Sequence, residues 1–139
     1  MERFVKNFIG ASIVYLGISV ILGVLMLLEP SLLRFRFVHS HLMLLGWVSM
    51  MIYGVGYHIL PRFAGKFIKS KTLGELQFYL SNIGLIGMLF FYILMDFGAG
   101  APLYRTLTVL FASIEGISIF MFVYNMIATL YGKAEEAGH

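Results

Sequence analysis

The chain has 139 residues, of which 60% are hydrophobic and only 12% charged, with a mean hydropathy of +0.89. A soluble domain carries about 25% charged residues, so this chain has too few to cover a water-facing surface and reads as an integral membrane protein. With no cysteine, disulfides, iron–sulfur clusters and thiolate metal sites are excluded. The net charge of +3 sits in loops and reports topology rather than nucleic-acid binding.

A membrane helix needs about 20 apolar residues, and four segments supply them. The first, residues 8–28, follows Arg3 and Lys6 and stops at Glu29-Pro30. No small-residue cleavage site follows a short core, so it reads as a retained span rather than a signal peptide. The second covers residues 38–60 and stops at Pro61-Arg62. The third, residues 73–95, ends at Asp96 and the Gly98-Ala-Gly100-Ala-Pro102 turn. The fourth, residues 104–131, precedes a short polar tail ending in His139. The expected fold is therefore all-α: one integral membrane four-helix bundle, up-down-up-down, over residues 1–139.

Lysine and arginine set the orientation. Arg3, Lys6, Arg62, Lys66, Lys69, Lys71 and Lys133 fall on one side, against Arg34, Arg36 and Arg105 on the other. Both termini are expected in the cytoplasm, with the protein in the inner membrane. Small residues recur in every span (Gly10, Gly17, Gly23; Gly46, Gly54, Gly56; Gly84, Gly87; Ala112, Gly116), which lets helices approach closely.

The second span opens on His39-Ser-His41, and ionisable groups in apolar spans are functional by default. Helical side chains turn by about 100° per residue, so the two imidazoles point to opposite sides. A regular helix cannot aim both at one ion; each suits a separate cofactor.

Arg36-x-x-His39-x-His41, followed by Leu44-Leu-Gly-Trp47 and Tyr57-His-Ile-Leu-Pro-Arg62, resembles the second helix of the catalytic subunit of heme-copper oxidases and nitric oxide reductases. It is also similar to small four-span relatives of that subunit. The likeness covers the second span and, loosely, Gln77-Phe-Tyr-Leu-Ser-Asn82-Ile-Gly84. In the family this helix carries an axial heme histidine near the outer surface, preceded by an arginine. The resemblance implies a b-type heme bound through His39 and His41, with Arg34, Arg36 and Arg105 at the level of its propionates. The chain departs from the family in having one arc of four spans instead of three, no copper-binding histidine set, and Gln77 and Ser81 where small relatives often carry histidines.

Opposed histidines also bear on assembly. A two-fold dimer presents one patch to its partner, whereas head-to-tail contacts close a ring. The expectation is a homo-oligomeric ring, a trimer for preference, with His39 of one copy facing His41 of the next across a heme. Met26 and Met95 are the alternative thioether ligands. Two imidazoles favour electron transfer, and an open position favours a diatomic gas. The competing readings are a non-redox assembly module of an oxidase-like complex and a His-x-His metal-ion binding or transport protein. Nothing in the chain indicates catalysis.

Two further polar groups lie in the spans. Glu115 sits near mid-membrane, where a lone carboxylate must be protonated or paired. Asn82, at similar depth, is its expected partner, and together they form a candidate proton or polar site. His58 lies about 28 Å along the axis from His39 and belongs to the opposite interface.

Overall fold

The computed structural model describes residues 1–98 and 100–132, with the backbone alone at Ala101. Lys133 and His139 of the tail, and Ala99 in the third turn, lie outside the described residues. Four long apolar helices, each able to cross a membrane, pack as a bundle: α1 (Arg3–Leu28), α2 (Pro30–Phe63), α3 (Lys71–Asp96) and α4 (Ala101–Tyr131). The all-α, up-down-up-down expectation holds, because short turns leave consecutive helices no other course.

Two contacts tie each end of the bundle. Lys71 Nζ meets the Glu2 carboxylate at 2.8 Å, and Lys66 Nζ donates to the Leu130 and Gly132 carbonyls, both at 2.8 Å. These join the chain's start, the α2–α3 loop and the end of α4 at one end, called here the basic end. At the far end Arg34 pairs with Asp96 and its guanidinium lies 4.8 Å from the Phe97 ring centroid, clasping the first turn to the third. Lys and Arg thus divide between the ends as the sequence grouping requires.

The helices exceed the apolar spans that mark them, and α2 does so most. It begins at Pro30 rather than near Val38. Pro30 has no N–H to leave unsatisfied in a first turn, and the Glu29 carboxylate accepts from the Ser31 N–H at 3.2 Å. A 3-10 turn, Pro30–Phe35, leads into α-helix Arg36–His41. At the other end the helix passes Pro61 and stops at Phe63, since a proline in the last turn forfeits only one ladder bond. At the third turn, Gly100 takes a left-handed φ of 64°, open to a residue without Cβ, and α4 then starts with Pro102 in its first turn.

Between these α segments, Leu42–Ser49 winds as a π-helix. Buried Gly46 sits at its centre, and a Cβ there would lie 2.8 Å from the Tyr15 side chain. The Tyr15 side chain of α1 therefore packs directly on the widened segment of α2. π turns inside α-helices are uncommon and cluster at functional sites. This one starts at the residue after His41.

The basic-end half of the core is aromatic. Phe8 packs edge-on against Tyr53 and Phe78, with centroids 5.5 and 5.1 Å apart, and Tyr57 does the same against Phe4 and Phe122. T-shaped pairs of this kind set ring edge against ring face, which fixes the rotation of α2 against α1 and α4, and of α1 against α3.

Candidate functional site

The histidine pair lies inside α2, more than two turns from its start, and is not at a helix tip. Both rings are half-buried and point in different directions, as their spacing demands. The His39 ring lies on α1, where its Nδ1 is 3.0 Å from the Ser19 carbonyl and 3.1 Å from Ser19 Oγ. Ser19 Oγ in turn donates to the His39 carbonyl at 3.2 Å. Gly23, one turn on, makes room for the ring: a Cβ at that position would lie 2.9 Å from His39 Cε1. His41 turns away from α1. Its Nδ1 is 2.8 Å from the Phe37 carbonyl, its ring lies on the Phe37 ring at 3.9 Å, and Phe37 stacks on Tyr92 of α3 at 4.0 Å.

These contacts fix the tautomers. A carbonyl oxygen only accepts, so each Nδ1 carries a proton, and the tautomer this selects has its lone pair on Nε2. Histidines that bind metal show the same arrangement, with the second nitrogen donating to a carbonyl or carboxylate. Beside His41 opens a cavity of about 730 Å³, lined by Arg34, Arg36, Phe37, Ser40, His41 and Tyr92. Among the described residues, no three His, Asp or Glu side chains converge on one point.

Of the arginines, Arg34 is taken by Asp96, through Nε to the carboxylate at 2.5 Å and Nη2 to the Asp96 carbonyl at 3.2 Å. Arg36 and Arg105 are exposed, and Arg36 lines the cavity. Arg105 lies on the first turns of α4 and is not among the cavity's lining. Met26 is buried in the core at 9% exposure, so its thioether packs inside the chain.

The second candidate site differs from expectation. Asn82 does not pair with Glu115; its Oδ1 accepts from the Tyr15 hydroxyl at 2.7 Å and its Nδ2 donates to the Phe78 carbonyl. Asn82 follows Ser81 by one residue, and the resulting turn carries it toward α1, while Ser81 faces α4. Glu115, 2% exposed, bonds instead to Ser118, whose hydroxyl donates to the Glu115 carbonyl at 2.8 Å and contacts Oε2 at 3.4 Å. Ser81 Oγ donates to Ser118 Oγ at 2.9 Å.

This pair continues a polar column that sequence reading left unassembled. Toward the basic end, the Tyr57 hydroxyl donates to Gln77 Oε1 at 2.7 Å and lies 3.4 Å from Asn125 Nδ2. Asn125 Nδ2 donates to the Ser70 carbonyl at 2.7 Å, and its Oδ1 accepts from the Ser70 N–H at 3.1 Å. Thr129 donates to the Asn125 carbonyl and accepts from the Lys69 N–H. The signal was present in the spacing: Gln77 and Ser81 are four apart, and Glu115, Ser118, Asn125 and Thr129 keep steps of three, seven and four, one face of a helix. His58 accepts from Arg62 at the basic-end surface, remote from the His39–His41 pair.

No protein-family model, curated protein or solved structure matches the chain.

Proposed function

We propose that this protein is a small membrane b-type cytochrome, a single-arc relative of the heme-copper oxidase and nitric oxide reductase catalytic subunit. Its heme is held by the His-x-His turn of α2. The observation that carries this reading is the state of the two imidazoles. Each Nδ1 is committed to a backbone carbonyl, which leaves both Nε2 lone pairs available on two faces of one helix.

The residues present fit the group. Heme iron takes histidine nitrogen as an axial ligand; His41 supplies one in the wall of a cavity of pocket-like size, with Phe37 and Tyr92 as flat apolar surfaces beside it. Arg36 is the first candidate for a propionate, because Arg34 is already paired with Asp96; Arg105 stands at the same end. Bound there, heme b supplies one-electron redox chemistry or a seat for a diatomic gas such as nitric oxide or oxygen. The protein's part is to fix the ligand tautomers, hold the rings and exclude water.

Since the two Nε2 atoms face apart, one heme cannot take both from the same copy. We infer a head-to-tail ring, a trimer for preference, in which His39 of one copy and His41 of the next serve the same heme. Two imidazole ligands favour electron transfer over gas binding. The lysine and arginine distribution argues for the inner membrane with both termini cytoplasmic, setting the histidines near the outer surface.

An optical spectrum of the purified protein, supplied with heme, tests the reading. A Soret band with sharp reduced α and β bands is expected. His39→Ala and His41→Ala should each lose heme or change its ligation; retention of full heme content and an unaltered spectrum by both variants would refute the assignment. Light scattering in detergent tests the ring, which fails if a monomer keeps a bis-imidazole spectrum.

A further inference from the structure

The geometry points to a one-sided proton-access path in the bundle core, running from the basic end of the molecule to the carboxyl group of Glu115. It is independent of heme and stands or falls separately.

Among the described residues, two buried side-chain atoms have no protein partner: Gln77 Nε2 and Glu115 Oε1. Gln77 is 0% and Glu115 2% exposed. An unmade hydrogen bond in such surroundings costs about 1–3 kcal/mol, and buried groups of this kind are commonly served by internal water. Here one atom is a donor and the other an acceptor. They belong to the same stretch of the α3–α4 contact, since Gln77 stands one turn from Ser81, and Ser81 is joined through Ser118 to Glu115. Water that accepts from Nε2 and donates to Oε1 satisfies both.

The path has a mouth. At the basic end, a cavity of about 280 Å³ is lined by Glu2, Tyr57, His58, Arg62, Lys66 and Lys71 among others. Tyr57 belongs both to that wall and to the core, where its hydroxyl donates to Gln77 Oε1. A hydroxyl both accepts and donates, so when its O–H turns from Gln77 Oε1 to water beside Gln77 it gives up that proton, takes another on the same oxygen from the cavity side, and is left unchanged. The proton ends on Glu115 Oε1, converting carboxylate to carboxylic acid; release reverses each step.

The path also has a closed side. On α1 the polar groups at and beyond the Glu115 level are already committed, Tyr15 to Asn82 and Ser19 to His39, and beyond Glu115 toward the far end α3 buries Leu85, Met88 and Leu89, at 0%, 4% and 6% exposure. These side chains offer a proton nothing to bind. Among the described residues, the phenols of Tyr15 on α1 and Tyr53 on α2 interact electrostatically with Glu115. On α3 it faces Gly84, against its backbone, and the Ser81–Ser118 pair. With no cation paired to it among the described residues, the carboxyl group is stable in the apolar core as the neutral acid and charges only by losing its proton along the column.

Infrared spectroscopy of the heme-free protein in detergent tests this. The wild type should show a protonated-carboxyl C=O band that moves to lower frequency in D₂O and is absent from Glu115→Gln. Tyr57→Phe keeps the ring and removes the hydroxyl. It should slow the exchange of that band by about tenfold, the equivalent of one lost hydrogen bond. Gln77→Leu should do the same, and serves if Tyr57→Phe fails to fold. Met88→Leu, a volume-conserving change on the closed side, should exchange at the wild-type rate. Absence of the band from the wild type, or wild-type exchange in folded Tyr57→Phe or Gln77→Leu, overturns the proposal.

Discussion

Gly84→Ala should unfold the bundle far more readily than its single added methyl group implies. A Cβ on Gly84 would lie 2.6 Å from the Glu115 backbone nitrogen and 2.9 Å from Glu115 Cα. Carbon contacts rest near 3.5 Å, so α3 and α4 must part by roughly 0.9 Å. The obstructing atoms are backbone, and no rotamer change relieves them. Overpacking on this scale costs about 1–3 kcal/mol. The same separation stretches the Ser81–Ser118 bond from 2.9 Å toward about 3.8 Å, where no bond remains, at a further cost of about 1 kcal/mol. Alanine's helix preference returns up to about 1 kcal/mol. The expected net loss is about 2 kcal/mol, read as a shifted midpoint in a denaturing-detergent titration followed by circular dichroism. Gly116→Ala is the control. It sits beside Glu115 on α4, but a Cβ there meets nothing within 4 Å, so the change should be neutral or mildly stabilising. Equal midpoints for the two variants would refute the close approach of α3 and α4 at this layer.

Asn125→Ala should cost about 2–3 kcal/mol in the same titration, because it strips the Ser70 backbone of two bonds and leaves Tyr57 without its neighbour; loss of under about 0.5 kcal/mol would contradict the pinning of the α2–α3 loop. Gly23→Ala should displace the His39 ring, whose Cε1 lies 2.9 Å from the added Cβ, and, on the proposed heme ligation, should alter the spectrum in the same way as His39→Ala; Gly17→Ala, with nothing within 4 Å, should leave it unaltered. Acid should loosen the basic end. The hydrogen bond from Lys71 holds the Glu2 carboxyl below its usual 4.5, so its stabilising contribution is present above that value and fades as pH falls through the lower, folded one. Melting temperatures of wild type and Glu2→Gln should therefore converge on acidification below about pH 4, and a constant gap across that range would exclude the linkage.

The far end of the molecule was legible because few residue types are tolerated there. Arg36, His39 and His41 stand out in an apolar run, and two residues of helix dictate divergent rings whatever surrounds them. What the spacing could not supply is the partner of each ring. The Ser19 carbonyl is a backbone atom on another helix, and Gly23 announces only that something lies close. The π turn at Leu42–Ser49 was equally hidden. Its residues, Leu, Met, Gly, Trp, Val and Ser, suit an α-helix as well, and nothing in their order announces the extra winding.

The polar core was misassigned for a related reason. Glu115 and Asn82 are the conspicuous polar residues at their depth, and pairing them follows from depth alone. Hydrogen bonding within a bundle is decided by azimuth as much as depth, and one residue of helix separates Asn82, turned to α1, from Ser81, turned to α4. Gln77, Ser118 and Asn125 went unassembled because each is common in membrane helices as a lone interhelical contact worth about 0.6 kcal/mol. Aligned on facing helices they form a different object: a run of donors and acceptors that starts at a cavity, ends at a carboxyl group and leaves one unused donor and one unused acceptor along its length. On α3 the apolar side chains of Leu85, Met88 and Leu89 then lie between that carboxyl and the histidine end. A bundle held by packing alone has no use for such an asymmetry, since apolar side chains at Gln77 and Glu115 would fill the same space without two unsatisfied atoms.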